Sequence, residues 1–377
     1  MKLSWIIRAP LSQNEQGLSS DYAGVRMRTI MPVTELRLRG HEASITLLSG
    51  THDALNSDLT GGGDVAIFGP VAPARVNAID EDEVGTLVFE LIDRMRKNGV
   101  KIVADIHDNH FTVPGRSRYL RRLVQTANAV VANTDVMAGE VRLYTGSPVY
   151  VIGDPFEGPQ GSPKSVPTPA PGGIRRFLAP RVANLNLAWF GHHDNLRSLY
   201  KLCETLGALS AQLPLHLAVV SRDGRAVREF CAGITRQYAS RFDMEFIPWS
   251  LAATWQALRA CDLVVLPNGA NSPNRMAKSA NRIIESLRAG RFPIVNPVAS
   301  YMEFQDYAWV GDDISKGIVW AVEHAQEVLE RTSRGQNYVE EHYGPATLGK
   351  HWERVLREIA GEITLTDPQS GLMDGQQ

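Results

Sequence analysis

The strongest constraint in this sequence is a rhythm. Short apolar runs rich in β-branched residues alternate with longer amphipathic stretches along most of the chain, the pattern of parallel strands joined by helical crossovers. In the first half, strands are expected at 3–8, 44–48, 64–68, 100–105, 129–132 and 149–152, with helices at 25–39, 84–97, 117–126 and 135–144. The rhythm stops at 157–173, where prolines at 159, 163, 167, 169 and 171 mix with glycine and serine as in a linker or exposed loop. It resumes with strands near 185–190, 215–220, 244–247, 263–266 and 293–295, and with helices such as 279–289. From residue 312 to about 362 the chain reads as helical, and 364–377 reads as a polar, disordered tail.

Two α/β domains follow from this pattern: an N-terminal domain at 1–156, a Pro/Gly-rich linker at 157–184 and a C-terminal domain at 185–345. A closing helix at 346–362 and a tail at 363–377 complete the chain. The 377 residues, 44% of them hydrophobic, supply enough material for two cores. A net charge of -2 gives no global pull toward nucleic acid. The three cysteines, Cys203, Cys231 and Cys261, are too scattered for a disulfide framework or a metal motif, which fits a reducing cytosol. Arg8 arrives too early for a signal-peptide core, and no apolar run is long enough to span a bilayer, so work at a membrane would be from its surface.

Ligands of open parallel sheets collect where loops and helix N-termini converge at the carboxyl ends of strands. Four such exits stand out. The loop 12–25 carries Gly17, Ser19, Ser20 and Gly24 before a helix start, although without the dinucleotide glycine spacing. The run from Asp105 to His110 leads an apolar strand into His107, Asp108 and His110, a set able to orient a sugar or shuttle a proton, or simply to be solvated. A metal there would need further ligands, and the sequence supplies none at a suitable spacing.

The third exit runs from Leu266 to Glu285. Lys278, Ser279, Ala280, Asn281 and Arg282 occupy the opening turn of a helix whose inward face is Ile283, Ile284 and Leu287. Backbone N–H groups, the helix dipole and the two cations would cradle a diphosphate there; the plain alternative is a solvated basic helix start with Glu285 paired locally. The fourth exit is Trp189 to Asn195, where Gly191 would let a phosphate approach the backbone more readily than either His192 or His193 would hold one.

In order and character these features resemble the GT-B glycosyltransferases, specifically the large retaining family that includes bacterial mannosyl- and glucosyltransferases. Gly24-Val25 followed by Arg39-Gly40-His41 resembles that family's first loop and the end of its first helix. The runs from Ala129 to Thr134 and from Val149 to Pro155 resemble the last strands of its N-terminal domain; those from Asp262 to Pro267 and from Asn281 to Gly290 resemble its donor-site strand and helix.

The resemblance implies two Rossmann-like domains with parallel sheets facing across a cleft. It makes Glu285 the ribose-binding residue, Gly24, Gly191 and 278–282 the diphosphate site, His107 a residue near the transferred sugar, and Ile247, Pro248 and Trp249 the base contact. Trp249 reads equally as a packing aromatic. Two departures stand out. The glutamate that the family carries about eight positions before the ribose-binding one is replaced by Ala277, beside Lys278, and the family's lysine after the first C-terminal strand gives way to His192 to Asn195. They leave the stereochemical outcome open.

The implied activity is transfer of a sugar from a nucleotide-sugar donor to a glycan, lipid-linked or small-molecule acceptor, without a metal or other cofactor. In a retaining front-face reaction the leaving phosphate takes the acceptor proton; in an inverting one Asp108 or His107 would do so. Arg116, Arg118, Arg121 and Arg122 form a basic cluster that would rest on anionic lipid at the inner face of a membrane, or else a solvated helix face. A nucleotide-sugar epimerase and a non-catalytic sugar- or nucleotide-sugar-binding module remain as rival readings.

Overall fold

The computed structural model describes residues 1–15, 17–48, 63–71, 79–167, 184–210, 213–238, 242–268 and 277–363. The chain divides into two compact units. The first comprises Met1–Pro155, Pro273–Ser279 and His342–Gln377; the second comprises Phe156–Ser272 and Ala280–Glu341.

The first unit holds a parallel sheet of β1 (Lys2–Arg8), β4 (Glu42–Leu47), β5 (Val65–Val71), β6 (Lys101–Ile106), β7 (Ala129–Ala132) and β8 (Val149–Val151), in the order β4-β1-β5-β6-β7-β8. The second holds β9 (Leu185–Phe190), β10 (Leu215–Ser221), β11 (Asp243–Pro248), β12 (Leu263–Leu266), β13 (Phe292–Val295) and β14 (Trp309–Val310), in the order β11-β10-β9-β12-β13-β14 and again parallel. Central strands of such sheets are covered on both faces, which is why β7 and β12 are apolar and buried at every position. Each unit has its own core. Trp5 meets Trp352 edge-on in the first, with ring centroids 5.6 Å apart, and Trp189 packs among Leu199, Leu206 and Leu217 in the second.

The expected strands and helices are present to within a few residues at their ends. The structure adds details that carry little periodic signal. The loop expected at 12–25 contains a hairpin, β2 (Ser12–Asn14) with β3 (Gly17–Ser19), in which Gly17 takes a φ of 112°. The following helix, 23–38, opens as α-helix at Ala23–Val25, widens to a π-helix over Arg26–Ile30 and returns to α at Met31–Leu38. A π turn inserts one residue into the ladder and re-aims the side chains around it.

The proline-rich stretch is a packed strap rather than a free linker over its described part, 157–167. Val166 joins the core of the second unit, Gly161 N–H donates to the Arg288 carbonyl at 3.0 Å, and Lys164 forms an ion pair with buried Asp262 at 2.7 Å. Composition registers proline and glycine but not the groove they fit. The rest of that stretch and the expected tail at 364–377 lie outside the described residues. The closing helix, Pro345–Ala360, belongs to the first unit, where Leu348, Trp352, Val355 and Leu356 are buried against Leu3 and Trp5.

Gly290 ends the Asn281–Arg288 helix with φ 71°, and a Cβ there would collide with the Ser162 carbonyl of the strap. Gly290→Ala combines left-handed strain with that clash and is expected to cost at least about 2 kcal/mol, lowering Tm by roughly 5 °C in a thermal melt.

Candidate functional site

In each sheet the strand order reverses at one place, between β9 and β12 in the second unit and between β1 and β5 in the first. Loops on either side of such a switch point diverge and leave a crevice at the carboxyl ends. In the second unit Gly191 sits there, directly after β9, with its N–H donating to Val220 O at 3.1 Å and its carbonyl accepting from Ser221 Oγ at 2.9 Å. A Cβ on Gly191 would stand 3.6 Å from Arg282 Nη1 and 3.4 Å from the Trp189 ring, ordinary contact distances that place Gly191 directly beside Arg282.

Arg282 belongs to the first turn of the Asn281–Arg288 helix, which connects β12 to β13. Ala280, in the capping position, has no side-chain oxygen to offer the helix. The Nη1 atom of Arg282 is buried and has no hydrogen-bond partner among the described residues, while Nη2 makes only a long contact, 3.4 Å, with the Tyr301 hydroxyl. A buried guanidinium nitrogen without an acceptor, beside a helix N-terminus and a glycine, is suited to receive an anion.

Ile247, Pro248 and Trp249 close the edge strand β11, two strands from the switch point; Trp249 N–H donates to Ser221 O at 2.8 Å. Lys278 and Ser279 fall in the first unit, where their neighbour Ala277 is buried in the core and its carbonyl accepts from Thr134 Oγ1 at 3.4 Å. Ala280, Asn281, Arg282 and Glu285 fall in the second.

Glu285 is buried, and its carboxylate holds the strap: Oε1 accepts from Glu157 N–H at 2.5 Å and Oε2 from Gly158 N–H at 3.1 Å. Gly158 has no room for a side chain, since a Cβ would stand 2.6 Å from Glu285 Oε2 and 2.8 Å from Trp255 Nε1. The sequence offers no sign of this pairing, because it joins residues more than a hundred positions apart.

In the first unit, His107 leaves β6 with its Nε2 3.4 Å from the Asp108 carboxylate. Gly24, from the helix that follows β1, packs on the imidazole so closely that a Cβ would stand 2.8 Å from Nε2. Gly24, expected with the diphosphate residues, is thus placed against His107. Behind them Arg28, fully buried in the π turn, donates to both oxygens of Asp105, to Asp154 at 3.3 Å and to the carbonyls of Ile152 and Gly153. Burial alone would pull its pKa down, but Asp105 and Asp154 more than offset that and hold the guanidinium charged. Arg28→Met would leave two carboxylates facing each other without a cation, at a cost of about 3–5 kcal/mol in a denaturant titration.

The four arginines of the basic cluster are put to different uses. Arg116 Nη1 lies 3.0 Å from His110 Nε2, Arg121 donates to the Phe111 carbonyl at 3.0 Å and lies over Tyr144, Arg122 lies over the Phe89 ring, and Arg118 is exposed. Burial, with Arg116 and His107 adding repulsion against the pull of Asp108, lowers the His110 pKa below the usual histidine value. The depressed folded pKa means that the stability from neutral His110 is present above the unfolded value of about 6.5 and is lost as pH falls through the folded one. Stability measured from pH 7 downward should fall, with a slope that His110→Gln reduces.

Among the described residues no group of three or more His, Cys, Asp or Glu side chains gathers as a metal site, and no helix is long and apolar enough to cross a membrane.

The fold, with a six-stranded parallel sheet in each unit, is that of the GT-B glycosyltransferases. No family model matches the sequence, and no curated protein matches it significantly. Solved structures do match in shape. The Anabaena protein Alr3699/HepE in complex with UDP aligns with a TM-score of 0.62 at 13% identity, covering 95% of this chain and 100% of that one. AviGT4, a glycosyltransferase of avilamycin A biosynthesis, aligns at 0.54 and 13%, covering 96% and 99%. The catalytic domain of starch synthase IV from Arabidopsis thaliana, bound to ADP and acarbose, aligns at 0.58 and 10%, covering 96% and 99%. At these identities the likeness defines a GT-B fold in a divergent sequence.

Proposed function

We propose that this chain transfers a sugar from a nucleoside-diphosphate-sugar to a glycan, lipid-linked or small-molecule acceptor, with retention at the anomeric carbon and without a metal. The observation that carries the reading is the buried, unsatisfied Nη1 of Arg282 beside Gly191 and the helix N-terminus, at the switch point of the second sheet. Neighbours in fold solved with UDP or ADP add weight to a nucleotide ligand.

Departure of a nucleoside diphosphate places growing negative charge on the β-phosphate. Preorganised N–H donors stabilise such charge without reorganisation as the bond breaks, and Arg282 with the first turn of its helix would supply them here. Ile247 to Trp249 would lie along the base. Glu285 would reach the ribose hydroxyls. His107, paired with Asp108, would contact the transferred sugar, and the leaving phosphate would take the acceptor proton. In this reading the first unit brings the acceptor, and Arg118, Arg121 and Arg122, which are all exposed, are the residues of the basic cluster that would face an anionic surface.

A thermal-shift screen of nucleoside mono- and diphosphates and their sugars tests the donor site. One nucleotide should raise Tm, by the amount that ligand linkage gives at saturation, and Arg282→Ala should weaken that nucleotide at least tenfold. Glu285→Ala must be compared with its own unliganded melt, because losing the strap's acceptor destabilises the fold by itself. No shift with any nucleotide would overturn the donor assignment. Product analysis then separates the outcomes: free nucleotide with a retained glycoside supports the transferase, and an altered sugar nucleotide indicates an epimerase. Binding without turnover indicates a recognition module.

A further inference from the structure

Asn133 is the first residue after β7, and its neighbours in the sheet are β6 and β8. Ile106 pairs with Ala132, so His107 and Asn133 leave the sheet side by side; Ala132 pairs with Val151, which brings Asp154 to the other flank. The Asn133 amide bridges all three exits. Its Nδ2 donates to the His107 main-chain carbonyl at 3.2 Å and to Asp154 Oδ2 at 3.4 Å, and Asp154 is held in turn by Arg28.

The arrangement is a poor stabiliser. Asn133 is 6% exposed, both of its bonds are long, and its Oδ1 is buried with no donor among the described residues. Turning the amide over would give up both bonds, so the orphan carbonyl is the cost of keeping Nδ2 on His107 and Asp154. Buried polar atoms left in this state cluster where geometry serves something other than stability. The imidazole of His107 is itself packed by Gly24, on the helix that also carries Arg28.

We propose that Asn133 is a positioning residue for His107: it fixes the backbone from which the imidazole projects and ties that backbone, through Asp154 and Arg28, to the helix that packs on the ring. The proposal rests on the role given to His107 above, and the experiment separates the two. Asn133→Ala and the milder Asn133→Ser are compared with His107→Ala and with the double variant Asn133→Ala/His107→Ala.

The first readout is the NMR signal of the His107 ring, assigned by its loss in His107→Ala. In the wild type it should be a single line, and in both Asn133 variants it should shift or split. A signal unchanged in both overturns the proposal, whatever the activity. The second readout is transfer kinetics. Asn133→Ala should lower kcat at least tenfold with donor KM within twofold, and in the His107→Ala background it should change the residual rate by less than twofold. Multiplicative losses in the double variant would mean that Asn133 acts independently of His107, which also overturns the proposal. Full activity in His107→Ala removes the role of His107 and the proposal with it. Loss in His107→Ala with none in either Asn133 variant leaves that role standing and removes only the proposal.

Discussion

A guanidinium buried away from water must be surrounded by acceptors, and in this protein Arg28 sets that requirement for the whole first unit. Two carboxylates and two carbonyls answer it, drawn from the exits of β6 and β8. Trp5 Nε1 donates to the Arg28 carbonyl at 3.0 Å, and the ring of Trp352 lies 5.3 Å from the guanidinium. First helix, sheet ends and closing helix therefore meet at one charge. Such a cluster contributes little net stability compared with a well-packed apolar one, but it tolerates very few alternative geometries, so the strand exits around His107 are tightly defined.

The second unit reaches the same end by different means. Its Asn281–Arg288 helix is held by the strap. Glu285 accepts the N–H groups of Glu157 and Gly158, Gly161 donates to the Arg288 carbonyl, and Gln336 donates to the carbonyls of Gly161 and Arg288. Glycines at 161 and 290 allow backbone to lie on backbone where any Cβ would intrude, and Gly158 leaves room for the Glu285 and Trp255 side chains. With its carboxyl half anchored, the helix presents its first turn, and Arg282 within it, at a fixed place beside Gly191. The cost of leaving a guanidinium nitrogen unsatisfied is borne by that surrounding packing.

The sequence by itself determined the fold class, because period and composition are local properties. Runs such as Leu263–Leu266 and Ala129–Ala132 are apolar throughout since central parallel strands are buried on both faces, and the alternation with amphipathic stretches leaves few other topologies. It also placed His107, Gly191 and Arg282 at strand exits and a helix start, because each of these positions is defined by residues close by in the chain. What the sequence left open was decided by contacts that only tertiary structure creates. A proline-rich stretch reads as a linker until Glu285, more than a hundred residues away, supplies the acceptors that pin it. Gly24 reads as part of a phosphate loop until the helix after β1 brings it onto the His107 ring, and Asn133 has no signal at all until three strand ends stand in a row. Periodicity records which face of an element is buried, whereas the partner that each buried polar atom finds depends on how distant elements come together in space.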